Sequence, residues 1–485
     1  MKNNDVYVVD TKIYKYSNDN VFNPSTVYPE GLNIDIKSDS NIYDCVRRLF
    51  IQMGLDKGNI GKKNWNPFGD FIKKNNKVVI KPNLVKHINE SLDGNTDSLI
   101  TNFSVIRPII DYTIIALNGT GSIIVGDAPV QECNFAEVIK LYNLEEAIKK
   151  YNDFNYKVEL KDFRKNSNPE IECTVVDIGE NSSLVETDEY YKKYAITNYN
   201  LKYMHSHHCQ GKHEYLISKD ILDADVIINV PKPKCHRKAG ITASMKNFVG
   251  VNSKKEYLPH HRNGSVASHG DEYPESSFIK YCRSVAKNYS YTHSKIIYLI
   301  NGVFYKLMVL THKERFQEGS WYGNDTIWRT ILDINKILLY SDKNGVLSNN
   351  KKRIIFNVAD MIISGEKEGP LIPSNKEVGL IVASFNQLNM DRSICKIMGF
   401  DPKKIKYINE GYKLKKFKIS SLMEYKFIDQ NGINSEEKYN KNFIPTDGWI
   451  DYLTTNDKKT ILKGERRNEN IFYYRWSWVY WLYAY

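Results

Sequence analysis

Residues 227–250 read IINVPKPKCHRKAGITASMKNFVG. A β-branched apolar run stops abruptly at Lys232, Lys234, His236, Arg237 and Lys238. A small-residue segment then leads to a second polar cluster, Lys246-Asn247. Open α/β sheets build anion sites this way, because parallel strands deliver their loops and helix starts to one edge. The pattern recurs on both sides of the stretch. Lys77–Ile80 runs into Lys81-Pro82-Asn83, Ser122–Val125 into Gly126-Asp127-Ala128-Pro129, and Arg353–Val358 into Ala359-Asp360. Helical spacing of apolar residues occupies Ser104–Leu117, Phe135–Tyr151 and Leu388–Met398, and Val378–Ala383 reads as a further buried strand. Short strands alternating with helices imply parallel pairing and right-handed crossovers. The fold class expected is α/β: a mostly parallel sheet flanked by helices, with a helical insertion and a mixed C-terminal extension.

The rhythm breaks after residue 252. A polar loop, HHRNGSVASHGDEYPE (260–275), precedes three helical patterns near 277–288, 294–310 and 325–341. The division expected is therefore 1–75 as an N-terminal segment packing on the core and 76–251 as the first part of the α/β core. Residues 252–345 form the polar loop and helical insertion, 346–411 the second core part, and 412–485 the C-terminal extension. Residues 152–220 read as a looser, partly β connection.

Composition narrows the function classes. A chain of 485 residues, 41% hydrophobic and 26% charged, has ample material for a large core. Its 68 Lys+Arg against 57 Asp+Glu give +11, spread thinly with no long block of like charge, which favours a solubilising surface over a nucleic-acid partner. The seven cysteines include no CxxC, so neither a zinc ribbon nor a cysteine-ligated iron–sulfur cluster is expected. Free thiols, an N-terminus without a signal peptide's basic and apolar regions, and no apolar run long enough to span a bilayer lead to a cytoplasmic expectation without a transmembrane segment. The last residues, IFYYRWSWVYWLYAY (471–485), hold nine aromatics in fifteen. Such side chains favour wet–dry boundaries, so this segment is a candidate for contact with the protein body, a partner or a membrane surface.

Candidate site residues gather at the strand tips. Lys81 and Asn83 follow one strand, and Asp127 the next, where it can ligate, orient or simply cap a helix. Lys232, Lys234 and Arg237 can hold a carboxylate or phosphate, and His236 is the natural proton-transfer group. Thr242 and Lys246 would share a face if that segment is helical, with Asn247 beside them. A lysine among other cations has a depressed pKa and can act as base or nucleophile. His261 and Arg262 lie in the polar loop, long enough for a lid or substrate loop. His207, His208 and His213 have metal-ligand chemistry at close spacing, and Glu366, on a Gly-punctuated loop, suits acid/base work or a divalent cation. Asp391-Arg392 reads as an intrahelical pair. Walker A, GxGxxG, GxSxG and HExxH patterns are all missing.

Taken together, KPN (81–83), GDAP (126–129), residues 228–250, NVAD…SGEKEGP (357–370) and DRSICKIMGFDPKKIKYI (391–408) make the chain similar to domain-of-unknown-function family 362, over roughly residues 76–411. HHCQGKHEYLIS (207–218), the 260–274 loop and WYGNDTIWRTILDINKILLY (321–340) resemble a subgroup associated with bacterial surface-polysaccharide gene clusters. Some members of the family carry a ferredoxin-like cluster domain; this chain, without CxxC, departs from them. A fainter likeness is to the nickel-pincer lactate racemases, where a lysine after a small-residue segment carries the cofactor; Lys246 would match it. The function expected is an enzyme acting on a small anionic or sugar-like metabolite, in cell-envelope polysaccharide synthesis if the subgroup likeness holds. The alternatives are a non-catalytic assembly protein docking through its aromatic tail, and a metal or redox-centre protein. The cofactor is left open, a divalent metal among the options.

Overall fold

A computed structural model describes residues 4–17, 22–32, 34, 39–142, 144–292, 294–311, 316–420 and 424–453. In chain order the elements that matter for the site begin with β1 (Val6–Asp10), α1 (Asn41–Gln52), β2 (Lys77–Pro82) and α2 (Phe103–Leu117). Next come β3 (Ser122–Asp127), α3 (Phe135–Leu141), α4 (Leu144–Asp153), β4 (Val158–Asp162) and β5 (Val226–Val230). The quoted stretch continues through β6 (Lys234–His236), β7 (Gly240–Thr242) and α5 (Ser244–Asn247). The remainder is α6 (Phe278–Asn288), α7 (Lys295–Thr311), α8 (Ile327–Tyr340), β8 (Ile354–Glu366), β9 (Ser374–Ser384), α9 (Gln387–Ile397), β10 (Phe427–Asp429) and β11 (Gly432–Asn434).

One sheet of eleven strands organises the molecule, in the order β11-β10-β1-β9-β8-β5-β2-β3-β4, with β6 and β7 attached beyond the end of β5. The block β8-β5-β2-β3-β4 is parallel throughout. Its strands other than the edge strand β4 carry consecutive apolar residues because both faces are covered. Val78, Ile80, Val226 and Ile228 pack with α1 and α2 on one side. Val79 and Ile227 pack with α8 and α9 on the other. That is the period-two alternation of a pleated strand. The α2 boundaries follow its sequence signals: the Asn102 side chain accepts from the Ser104 N–H at 3.0 Å, and Asn118 ends the helix in the left-handed region.

Several expectations need correction. Val378–Ala383 belongs to a strand antiparallel to β8, with Asn357 opposite Ser384, so the sheet is mixed at this edge. An apolar strand carries no record of its direction, and the seven-residue link 367–373 is too short for a crossover. The N-terminal segment does more than pack on the core: β1 lies inside the sheet, antiparallel to β9 and parallel to β10. The helical pattern at 135–151 divides into α3 and α4. The third helix placed in the insertion, α8, is buried along its whole length and covers one face of the sheet. Its polar residues are paired, Lys336 with Asp333 at 3.1 Å and Tyr215 OH donating to Asp333 at 3.1 Å. The 152–220 connection does contain β structure, a three-stranded antiparallel sheet of Cys173–Asp177, Lys212–Ser218 and His208–Cys209. Among the described residues no helix is long and apolar enough to cross a membrane. The aromatic segment 471–485 lies outside the described residues.

Candidate functional site

The cationic stretch after β5 is a hairpin rather than a free loop. Beyond Val230, β6 runs beside the far end of β8, with Lys234 opposite Gly365, and turns back as β7. The turn closes through Gly240, whose φ of +84° L residues with side chains rarely adopt. Thr242 therefore sits on a strand, not on a helix with Lys246.

The helix begins at Ser244, and its start is held from an unexpected quarter. Both oxygens of Asp391 accept backbone N–H groups there, from Ser244 at 2.6 Å and Met245 at 2.9 Å. Asp391 is thus a cap for α5 rather than half of an intrahelical pair, and burial pushes its carboxyl up to about 7. Asn247 then locks α5 to the strand ends. Its amide donates to Asn229 Oδ1 at 2.8 Å, and Asn229 in turn donates to Asn357 Oδ1 at 2.9 Å. The Asn247 carbonyl accepts from Lys81 Nζ at 3.2 Å. Lys81 makes a buried ion pair with Asp127 at 2.6 Å, and the other Asp127 oxygen accepts the Leu84 N–H at 2.7 Å. A methyl group at Gly250 would overlap this pair, so glycine lets the backbone approach it.

These elements wall a cavity of about 370 Å³ at the carboxyl edge of the parallel block. Six lysines line it: Lys81, Lys234, Lys238, Lys246, Lys255 and Lys287, joined by Arg237. Asp127, Glu132 and Glu318 are its carboxylates. Asp127 already serves Lys81. Glu318 serves Lys287 and accepts from Thr197 Oγ1 at 2.6 Å. Lys255 donates to the Ala128 carbonyl at 2.7 Å, and Lys234 to the carbonyl of Leu99. Burial lowers the affinity of such ammonium groups for protons, and their mutual repulsion lowers it further. Burial, then the charges of Lys255, Lys81 and Lys238, bring Lys246 down to about 7. Burial and Arg237 bring Lys238 to about 7, and burial brings Lys255 to about 8 against the opposing pull of Asp127. Thr242 Oγ1 and Arg237 Nε, both buried in the wall, have no hydrogen-bond partner among the described residues. Unpaired polar atoms in a cationic wall are places for a ligand's oxygens.

Two histidines face the same space with opposite tautomers. His236 Nδ1 accepts the backbone N–H groups of Lys238 at 3.0 Å and Ala239 at 3.1 Å, which leaves the ring proton on Nε2. His260 Nδ1 lies 2.6 Å from the Leu258 carbonyl and must donate to it, which leaves the lone pair on Nε2. Burial, with Lys246 on His236 and Lys238 on His260, holds both rings well below the usual histidine pKa, so both are neutral. His236 is thus a hydrogen-bond donor, while His260 is the proton acceptor.

Of the residues expected at the site, Lys81, Asn83, Asp127, Lys234, His236, Arg237, Thr242, Lys246 and Asn247 line this cavity. Others go elsewhere. Lys232 points away into a fully buried pair with Asp360 at 2.8 Å, supported by Tyr16 OH at 2.7 Å. His261 is buried behind the wall that His260 forms. Arg262 braces the polar loop by donating to the His269 carbonyl at 3.1 Å, with Asp325 3.5 Å away. Glu366 accepts from the Ile444 N–H at 2.9 Å and pairs with Lys376 at 3.2 Å. His207 pairs with Glu214 at 2.7 Å and stacks on Tyr257 at 3.8 Å. His208 and His213 sit against each other in the small side sheet, their Nδ1 atoms 3.4 Å apart, and burial first and His213 second lower His208 to about 3. The five residues put forward as metal ligands are therefore not brought together. Among the described residues no three His, Cys, Asp or Glu converge in a metal-binding group. Lys255 and Lys287 have no motif around them that marks them in the sequence, and His260 stands there only as part of a polar loop.

Residues 186–396 match the family model described as "Domain of unknown function (DUF362)". No curated protein matches the chain. Two solved structures overlap it. One is a protein from Thermotoga maritima, at 10% identity and a TM-score of 0.29, covering 75% of this chain and 58% of that one. The other is the lactate racemase apoprotein from Thermoanaerobacterium thermosaccharolyticum, at 12% identity and a TM-score of 0.33, covering 79% of this chain and 61% of that one. The chain spans about three fifths of the length of each, 58% and 61%. The matched residues include β5, the cationic hairpin, α5 and the β8–β9 pair, so the part of the chain that builds most of the cavity is similar to the DUF362 family.

Proposed function

We propose that the protein is an enzyme that binds a small metabolite carrying two or more negative charges, of the sugar phosphate class, and moves a proton on it. One observation carries this reading: six lysines and Arg237 share a cavity with three carboxylates, two of which are already committed to Lys81 and Lys287. Burying that many cations without counter-charge is costly, and a bound dianion offsets the cost. Lys234, Arg237, Lys238 and Lys255 grip the anion, and Thr242 Oγ1 donates to one of its oxygens. Lys246, near 7, is available as the free amine at neutral pH and takes the proton. His260 Nε2 is a second acceptor. His236 Nε2–H donates to an oxygen that gains charge during the transfer. The subgroup likeness to proteins of polysaccharide gene clusters favours a sugar as the phosphate's carrier.

The test is binding followed by turnover. Pyrophosphate or a sugar phosphate at a hundredfold excess over its Kd should stabilise the protein by about 2.7 kcal/mol, and Lys255→Met should weaken that response. With a bound compound identified, Lys246→Met should abolish its turnover and leave a folded protein. A melting temperature unmoved by phosphate, pyrophosphate and a panel of sugar phosphates would overturn the proposal.

A further inference from the structure

Helix α6 is inside out for a surface helix. Its polar side chains face the protein: Lys280 is 1% exposed, Ser284 Oγ donates to Glu272 at 2.8 Å, and Lys287 reaches the cavity. Its apolar side chains face outward, Phe278 (78% exposed), Tyr281, Val285 and Tyr289. Helix α7, packed on α6, behaves alike. Met308 is its one buried side chain, while Ile296, Leu299, Ile300, Val303, Leu307 and Leu310 (81%) are exposed. Ten large apolar side chains on one helical pair exceed the scattered exposure of an ordinary monomer and mark a surface that something covers.

Charge and composition identify the cover. Residues 276–311 contain no Asp or Glu, and with Lys280 buried and Lys287 turned to the cavity, their exposed charges are Lys295 and Lys306. A second copy of the pair would bring like charges together, whereas an anionic lipid surface complements them. Lys295 and Lys306 are exposed and eleven residues apart, about three turns, so they share a face along α7 and can reach headgroups while the leucines enter the acyl boundary. The tyrosines of both helices suit the same zone. At 17 residues with a lysine inside, α7 lies in an interface rather than across a bilayer.

We propose that the α6–α7 pair docks this protein on an anionic membrane surface. Lys287 lines the cavity from the opposite side of α6, so docking places the cavity within about one helix diameter, ~10 Å, of the headgroups. The inference stands independently of the reaction proposed above.

The full chain is mixed with phosphatidylcholine vesicles with and without phosphatidylglycerol, and bound protein is measured by sedimentation. Binding to the anionic vesicles alone is expected. Leu299→Glu/Leu310→Glu should weaken it at least about tenfold, and Lys295→Gln or Lys306→Gln about fivefold each, with unchanged melting temperatures, since all four positions are solvent-facing. A wild-type protein that ignores anionic vesicles would overturn the proposal. So would binding that survives the double leucine variant but is lost on removal of residues 471–485, or a dimer that the same leucine variant dissociates without any vesicle binding.

Discussion

Replacing Lys246 by methionine should make the ligand-free protein more stable, and the gain should depend on pH in a defined direction. In the folded protein Lys246 has a pKa of about 7, against about 10.4 for an unfolded lysine. Between those values the unfolded chain holds a proton that the folded protein does not, so this lysine penalises folding. The penalty is absent above pH ~10.4, grows as pH falls toward 7, and is constant below 7. At about 1.36 kcal/mol per pKa unit it reaches at most about 4.6 kcal/mol, and the partial exposure of the side chain reduces that to about 2 kcal/mol. For 485 residues this corresponds to a rise in Tm of about 2 °C. Thermal melts of wild type and Lys246→Met without added anion, from pH 6 to pH 9, measure it. The variant's advantage should be flat up to pH 7 and shrink by about half at pH 9. A variant that melts below wild type at pH 6, or a gap that does not change with pH, would refute the argument that repulsion and burial depress this lysine.

Two further substitutions test how the cavity is held. Lys81→Met strands the buried Asp127 carboxylate and should cost about 3–5 kcal/mol in denaturant melts; Lys81→Met/Asp127→Leu should recover part of it, and an unaffected single variant would deny the pair its role. Asp391→Ala removes the acceptor for two buried N–H groups and should cost about 2–4 kcal/mol, while Asp391→Asn, which keeps one acceptor oxygen, should cost less. Equal losses for Asn and Ala would remove the cap from the account.

How far these features could be read beforehand depends on whether the signal was local. β2 and β5 were legible because strands covered on both faces are apolar at consecutive positions. The direction of β9 was not, since an antiparallel neighbour asks for the same residues. Burial of α8 was hidden too. Its Asp333, Asn335 and Lys336 look like a solvent face until Ser182, Tyr215 and the carbonyls of Met245 and Asn181 are known to meet them. Within the cationic stretch, Lys232 and Lys234 are indistinguishable by type. What separates them is Asp360, more than a hundred residues away, which claims Lys232 for a structural pair. Lys287 and Lys255 enter the cavity from segments chosen by tertiary packing alone. His260 and His236 differ in role only because one ring meets a carbonyl and the other meets two N–H groups.

That last difference gives the cavity a polarity that its lysines alone do not. A cluster of cations attracts an anion from any direction and fixes its charge, not its orientation. The two imidazoles break this symmetry. His236 can only donate, so it selects an oxygen of the ligand. His260 can only accept, so it selects a group that carries a hydrogen. The tautomers are set by backbone groups of the same elements that form the wall, the β6–β7 turn and the Leu258–His260 segment, and they persist whether or not the lysines are charged. Binding an anion raises the proton affinity of Lys238 and Lys255, the lysines that grip it, by offsetting the burial and repulsion that lower it, so the ligand itself recruits protons to the lysines that hold it. Charge loads the site, and the histidine pair decides which way round the ligand sits when it does.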